Sequence, residues 1–378
     1  MKTHTELLHR QALRILVIQA ENLNWQHAKN YPYCLHLGFE EGLQANGVEC
    51  LVLTTPWFSR LQEICGKRQF DQVWINDLTH FCHIDASLEK IVNLAPIRVG
   101  FVTESVEYHP EEYDAFPWLR ERRARIDKQF EYVTHIAAVD EQDVVNIKQR
   151  FDKPTMWLPC SMPERYIYEH VSTHAKKIAL FSGSVYGKRI NYLKEPRLKS
   201  LLAYQKSQNS HLLDSTLFNM LPGHYFCRWV NNRLFPAHRI YPAYLDGLRK
   251  LRRKAHTLWL QGLQNGAAVV NLPHLVKGYS SRVIEGLASG RPVISWEIPN
   301  RPQNTALFED EHEILLYSTP EQLANQIERV LSDQPFGEQI AQNARNKVRR
   351  FHTTEKRVQQ ILHWVDTDET PILSLIHI

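Results

Sequence analysis

Two short stretches carry residue types that can hold an anion. The first is FSGSVYGKR, residues 181–189. An apolar strand runs into a turn of small residues and then a helix. Gly183 and Ser184 let the backbone approach a ligand closely. A helix N-terminus offers unpaired N–H groups and the positive end of its dipole. Lys188 and Arg189 add positive charge beside it. A diphosphate would use all three features. The alternative is a plain strand-to-helix turn with solvated basic residues. The second stretch is KGYSSRVIE, residues 277–285. Gly278 permits an unusual backbone angle, and Ser280 or Ser281 caps the helix that follows. Arg282 and Glu285 stand three apart, on one face of that helix. A carboxylate one turn into a helix can accept both hydroxyls of a ribose, and an arginine beside it can meet a phosphate with two hydrogen bonds. The alternative is a surface ion pair with no ligand.

These residues need a scaffold, and the chain alternates short apolar runs with helical patterns. Strands are expected over 14–18, 50–53, 72–75, 97–102 and 135–139, with helices over 35–45, 87–93, 119–130 and 141–150. Residues 153–168 hold Pro154, Pro159 and Pro163 without periodicity and read as a connection. A second series then begins, with strands over 177–181, 267–271, 292–295 and 314–317. Its helices are expected over 281–288, 320–331, 337–350 and 354–365. Strands alternating with helices imply βαβ units and parallel sheets. The expected architecture is α/β, with two doubly wound Rossmann-like domains facing a cleft. Their extents are 1–165 and 166–335, with helices over 336–372 packing back toward the first domain. An aromatic and basic helical insertion occupies about 201–263. Ligands bind at the carboxyl ends of such strands.

The C-terminal half resembles the retaining GT-B glycosyltransferases, and within them the spore-maturation (CgeB-like) group. The matching stretches are FSGSVYGKRINYL, GYSSRVIEGLASGRPVIS, LFEDEHEILLYSTPEQLANQIERVL and IAQNARNKVRRFHTTEKRVQQIL, in the family's order. Earlier, HIAAVDEQDVVNIKQRF and WLPCSMPERY look like that group's last N-domain unit and its linker. The resemblance implies a nucleotide-sugar donor, UDP-linked or carrying another nucleoside diphosphate, and no other cofactor. It implies that Gly183 and Ser184 lie against the diphosphate and that Arg189 and Lys188 neutralise it. Tyr279, Ser280 and Ser281 would donate hydrogen bonds to the phosphates, with Arg282 near them and Glu285 on the ribose. Related enzymes often carry two glutamates with seven residues between them. Glu285 matches the second, and Lys277 stands where the first would be.

The same resemblance implies same-face attack without a metal, the leaving phosphate helping to deprotonate the acceptor. Charge on that leaving group would then fall to arginine, lysine and a helix N-terminus. No nucleophile is assigned. Glu104 and His109, in TESVEYH after the strand over 97–102, are the candidate bases, set against a reading as ordinary loop residues.

Other patterns carry less. Asp366-Thr367-Asp368 has a metal-binding form but trails the last helix, and His80, His83 and Asp85 lack a partner cluster. Six scattered cysteines have no paired spacing and read as thiols of a reducing compartment. No apolar run reaches the length of a spanning helix and the N-terminus is polar, so the expected location is cytoplasmic. Residues 373–378, LSLIHI, do not continue the helix before them. Back-translated, they match a sequencing adapter and are set apart from the fold, against a short natural tail.

The formal net charge is +4, mildly basic. Basic runs over 120–128, 249–254 and 345–350 read as solvated helix faces, or as sites for a polyanionic acceptor or an anionic membrane. The expected acceptor is a polysaccharide or other glycan, a lipid-linked glycan or a small molecule. The basic, aromatic insertion motivates a sharper version, a hydroxymethylated base in phage-type DNA, which would require flipping the base from the duplex. A second class is non-catalytic: without the first glutamate, the chain could sense nucleotide sugars or serve as a scaffold.

Overall fold

The strand RILVIQ, Arg14–Gln19, is buried from its second residue onward. Burial on both faces is what a central strand of a parallel sheet requires. In this computed structural model, residues 13–21, 38–81, 87–168, 174–205 and 215–370 are described. The first sheet comprises β1 (Arg14–Gln19), β2 (Glu49–Thr54), β3 (Gln72–Ile75), β4 (Ile97–Val102), β5 (His135–Ala138) and β6 (Thr155–Trp157). Its order is β2-β1-β3-β4-β5-β6, all parallel. The second sheet holds β7 (Lys176–Ser182), β8 (Leu202–Gln205), β9 (Gly266–Asn271), β10 (Val293–Trp296) and β11 (Leu315–Tyr317), ordered β11-β10-β9-β7-β8 and also parallel. Strand order reverses direction between β1 and β3 in one sheet and between β7 and β9 in the other. At such switch points the connections leave to opposite faces and open a crevice at the strand ends.

Helices of the first half are α1 (Gly38–Ala45), α2 (Leu61–Cys65), α3 (Leu78–Phe81), α4 (Pro110–Ala115), α5 (Trp118–Phe130) and α6 (Glu141–Phe151). Those of the second are α7 (Arg189–Lys194), α8 (Ser215–Leu234), α9 (Ala237–Leu263), α10 (Ser281–Ser289) and α11 (Pro302–Thr305). Then follow α12 (Pro320–Ser332), α13 (Gln334–Phe351) and α14 (Thr354–Thr367). Three differences from the sequence reading stand out. Thr155–Trp157, inside the expected connection, is the edge strand β6: Pro154 costs it nothing, because Ile136 N donates to the Pro154 carbonyl (3.0 Å). Leu202–Gln205, inside the expected insertion, is the other sheet's edge strand β8. Gly278 does not have a positive φ. Its small size is needed instead for close approach, since a Cβ there would stand 2.7 Å from the Val139 carbonyl oxygen.

Two long-range packings tie the halves together. Gly38 and Gly42 on α1 leave room for α14: a Cβ on either would press into Thr354 or Val358. Val358, Ile361, Trp364 and Val365 of α14 thereby enter the first sheet's core. Each such side chain contributes roughly 1.5–3 kcal/mol on burial. In α9, Tyr241, Tyr244, Leu245, Leu248, Leu251, Ala255 and Leu258 recur at helical spacing and join that same core. From the next residue on, Trp259, Leu260 and Leu263 enter the core of the second sheet. The helix therefore spans both domains.

Candidate active site

At the second switch point, β7 ends in Ser182 and the chain turns through Gly183 and Ser184. The Phe181 ring, fully buried, forms the floor. Two guanidinium groups lie over it, Arg282 at 5.2 Å and Arg189 at 5.4 Å. Arg189 is positioned by the Pro273 carbonyl (2.7 Å), the Ser184 carbonyl (2.8 Å) and the Tyr186 ring (4.4 Å). Arg282 donates to Asn271 Oδ1 (3.2 Å), and the Asn271 amide is itself fixed by donating to Ser295 Oγ (3.0 Å). His274 is buried in the same cluster. Burial first, then the positive charges of Arg189, Arg282 and Lys277, hold its pKa well below the usual histidine range. Arg189 and Arg282 thus place two positive charges in this cluster, while Lys277 is paired with Glu112.

The helix that aims at this pocket is α10. Ser280 occupies its N-cap with extended backbone but makes no side-chain cap bond. Its hydroxyl donates to Asn271 Oδ1 instead (3.3 Å). The first-turn N–H groups therefore lack the usual serine acceptor, which suits an anion. By contrast α7 has only six residues and starts at Arg189, so its dipole adds little.

The sequence-predicted residues separate into groups. Gly183, Ser184, Arg189, Ser280 and Arg282 are brought together by these contacts, and Ser281 opens α10 beside them. Lys188 is exposed next to Arg189. Tyr279 is buried, and its backbone N–H already donates to Asn304 Oδ1 (2.8 Å). Arg282 and Glu285 do not pair. Glu285 instead accepts from Trp259 Nε1 (2.8 Å). Burial raises its pKa to about 7, outweighing the Trp259 hydrogen bond and the charge of Arg282.

Across the cleft, Glu104 pairs with the buried guanidinium of Arg122, which also donates to the Ser105 carbonyl (2.7 Å). His109 is the N-cap of α4 in a capping box with Glu112. Neither is presented as an unengaged base. Lys277 pairs with Glu112, and its backbone N–H donates to Ser105 Oγ (2.7 Å). A second bridge lies alongside. Arg301 holds Asp140 through two bonds (2.5 and 3.1 Å), and Asn304 N donates to Glu141 (2.7 Å). Asp140, Arg301, Asn271 and His274 were not singled out by sequence; Asp140 and Arg301 meet across 161 residues of chain.

The first switch point carries polar residues that sequence reasoning also missed. Asn76, directly after β3, is fully buried with neither side-chain amide atom hydrogen-bonded. Beside it, Asp77 Oδ1 accepts from Thr79 (2.5 Å) and Thr103 (2.8 Å). The one available signal was an Asn-Asp pair closing an apolar strand. At the end of β1, Glu21 is enclosed by Tyr244 OH (2.7 Å), Arg228 (3.2 Å) and His224 (3.4 Å). Burial alone would raise its pKa. The hydrogen bonds from His224 and Tyr244 and the charge of Arg252 outweigh burial and hold it at about 2.

Among the described residues, no group of three or more His, Cys, Asp or Glu is placed to hold a metal ion. His83 and Asp85 lie outside the described residues, as does the side chain of His80. Asp368 lies 3.6 Å from His135 rather than beside the pocket. Cys50, Cys65, Cys160 and Cys227 are free thiols, while Cys34, Cys82 and residues 373–378 fall outside the described residues.

Two Rossmann-like domains with facing switch points, one rich in phosphate-binding chemistry, define the GT-B fold. Residues 241–363 match the family model described as glycosyl transferase-like. The matched domain and the fold together define the class: an enzyme of the glycosyltransferase type. Among solved structures, an alpha-glucosyltransferase in complex with UDP and a 13-mer DNA containing an HMU base superposes with a TM-score of 0.56 at 9% identity, over 94% of this chain and 100% of its own. Sucrose-phosphate synthase from Thermosynechococcus elongatus gives 0.54 at 14% identity, over 94% and 98%. Anabaena HepE in complex with UDP-glucose gives 0.52 at 11% identity, over 94% and 100%. At these identities the likeness carries the fold. No curated protein sequence matches this one.

Proposed function

We propose that the protein transfers a glycosyl group from a nucleoside-diphosphate sugar, UDP-linked by preference, to an acceptor hydroxyl, without a metal and with retention at the anomeric carbon. The spore-maturation (CgeB-like) group is the proposed relation within the class, and a cytoplasmic location belongs to the same reading. One observation carries it. Arg189 and Arg282 converge over Phe181 beside Gly183, at the N-terminus of α10, whose N-cap Ser280 makes no side-chain cap bond. That arrangement suits a diphosphate, the group common to the UDP complexes among the structural neighbours.

In this reading the bond from the anomeric carbon to the β-phosphate oxygen breaks, and its electron pair leaves with UDP. Arg189, Arg282 and the α10 N–H groups stabilise that charge. The acceptor oxygen bonds to the same face, and its proton passes to the departing phosphate. The acceptor is met at the first switch point, where strand order reverses between β1 and β3 and Asp77 follows β3. It is a glycan, a small molecule or a modified DNA base.

A specific observation favours a second, non-catalytic reading. Lys277 is tied to Glu112, and the Glu285 carboxyl faces Trp259 rather than the pocket. A panel of nucleotide sugars, read as thermal shift and as slow donor hydrolysis, separates the two. A stabilising donor that is also hydrolysed supports the enzyme. A stabilising donor left intact, with or without acceptors, supports a sensor. No shift with any donor removes both.

A further inference from the structure

We propose that the outer face of the α8–α9 hairpin docks this protein on an anionic membrane surface, so that its acceptor is met at the lipid–water interface. Among the described residues, the exposed large apolar side chains Val92, Trp118 and Val145 stand far apart along the chain, and Val185 and Ile190 flank the entry to α7. Such scattered exposure is ordinary. Four others fall within ten residues: Phe226 (65% exposed), Trp229 (55%), Leu234 (67%) and Phe235 (47%). Phe226, Trp229 and Arg233 are three and four apart, and so share one face of α8.

The element that presents them is anchored from behind. His224 and Arg228 of α8 and Tyr244 of α9 close on buried Glu21. Tyr241 accepts from Thr54 N (2.8 Å) and donates to the Val52 carbonyl (3.0 Å). The exposed rings thus project from a fixed hairpin.

Charge selects the occupant. From Ser215 to Leu245 there is no Asp or Glu, while Arg228, Arg233 and Arg239 fall in the same span. Arg233 and Arg239 are exposed. Of the carboxylates that reach the hairpin, Glu21 is buried behind it, and Glu63, 3.9 Å from His238, is engaged by Arg60 (2.6 Å). Aromatic and aliphatic side chains flanked by arginine match the headgroup region of an anionic bilayer, where rings seat below the phosphates and arginines meet them. A nucleic acid would instead call for a row of cations tracking its backbone beside any stacking ring, and Leu234 has no ring to stack. No helix among the described residues is long and apolar enough to cross a membrane, so the attachment is peripheral. The same hairpin covers Glu21 at the end of β1, next to the proposed acceptor site. The docking stands on these exposed residues alone, and only the placing of the acceptor at the membrane rests on the proposed function.

The test is co-sedimentation of the full chain, without nucleotide, with vesicles of phosphatidylcholine alone or mixed with phosphatidylglycerol. The protein is expected to pellet with the mixed vesicles. The double variant Phe226→Ser, Trp229→Ser should lose roughly tenfold or more of that partitioning with an unchanged melting temperature. Arg233→Glu with Arg239→Glu should weaken binding to the mixed vesicles, most clearly at low salt. Absence of the protein from the mixed-vesicle pellet, or equal pelleting of the wild type and the aromatic variant, overturns the proposal. So does Trp229-dependent retention by duplex DNA, or Trp229-dependent self-association, without vesicle binding. Vesicle binding that persists when no nucleotide sugar shifts the melting temperature sustains the docking and removes only the proposed function.

Discussion

The guanidinium of Arg282 lies directly against Gly183: a Cβ at position 183 would fall inside van der Waals contact with Arg282 Nη2. Glycine at the end of β7 is therefore what lets an arginine from α10 reach the β7 turn. The two motifs, about a hundred residues apart in sequence, become one site through this contact.

Gly183→Ala tests that contact. The obstacle is the end of a flexible side chain, so the fold should survive while Arg282 is displaced. Loss of one charge-assisted phosphate bond costs about 1.5–3 kcal/mol, so UDP affinity should fall roughly tenfold or more. Calorimetric titration with UDP measures it. An unchanged affinity would show that Arg282 does not bear on the nucleotide.

Asp77→Asn addresses the acceptor side. Asp77 is held by Thr79 and Thr103 after β3, on the other sheet from Gly183. UDP affinity is expected to stay the same while turnover falls by about tenfold or more, the scale of one charge-assisted hydrogen bond that positions the acceptor. Equal losses in both would mean that the substitution perturbs the whole domain.

Arg301→Met probes the link between the domains. Asp140 is only 1% exposed, and its bidentate partner Arg301 is 12% exposed. Removing one partner of a buried pair leaves an uncompensated charge, at a cost of about 3–5 kcal/mol. Adding Asp140→Asn should recover part of this. A double-mutant cycle from denaturant unfolding gives the coupling, and simple additivity of the two losses would argue against the pair.

The pH dependence of Glu285 follows from its burial. Its pKa rises from 4.5 unfolded to about 7 folded. The folded state thus holds the proton more tightly. The stability this supplies is fully present below the unfolded pKa and is lost as pH climbs through the folded one. The difference amounts to roughly 3 kcal/mol. Glu285→Gln should therefore melt higher than the wild type at about pH 8, with the gap closing toward acid pH. Melting curves across that range check the sign, and a constant gap would contradict a buried, proton-binding carboxyl. If the ribose is held here, the same variant also loses UDP affinity.

Much of the architecture could be read from local pattern. Apolar runs such as RILVIQ and GAAVVN, bounded by turns and alternating with amphipathic helices, have few other folds open to them. The glycine-rich turn after β7 and the serine-rich entry to α10 were also legible, because small residues and caps act on their immediate neighbours. Only the tertiary structure decided what those residues meet. Glu285 and Arg282 share a helix face yet turn apart, one to Trp259 and the other to Asn271. Lys277 finds Glu112 from the other domain, and Glu104 is taken by Arg122. Asn76 and Asp77 gain meaning only because strand order reverses between β1 and β3. The hairpin over 215–263 lacks a local cue for the sheet it covers. Periodicity and capping are properties of a few consecutive residues. The partner of a buried charge is chosen by whichever distant segment packing brings within hydrogen-bond reach, and that choice is written in the whole chain at once.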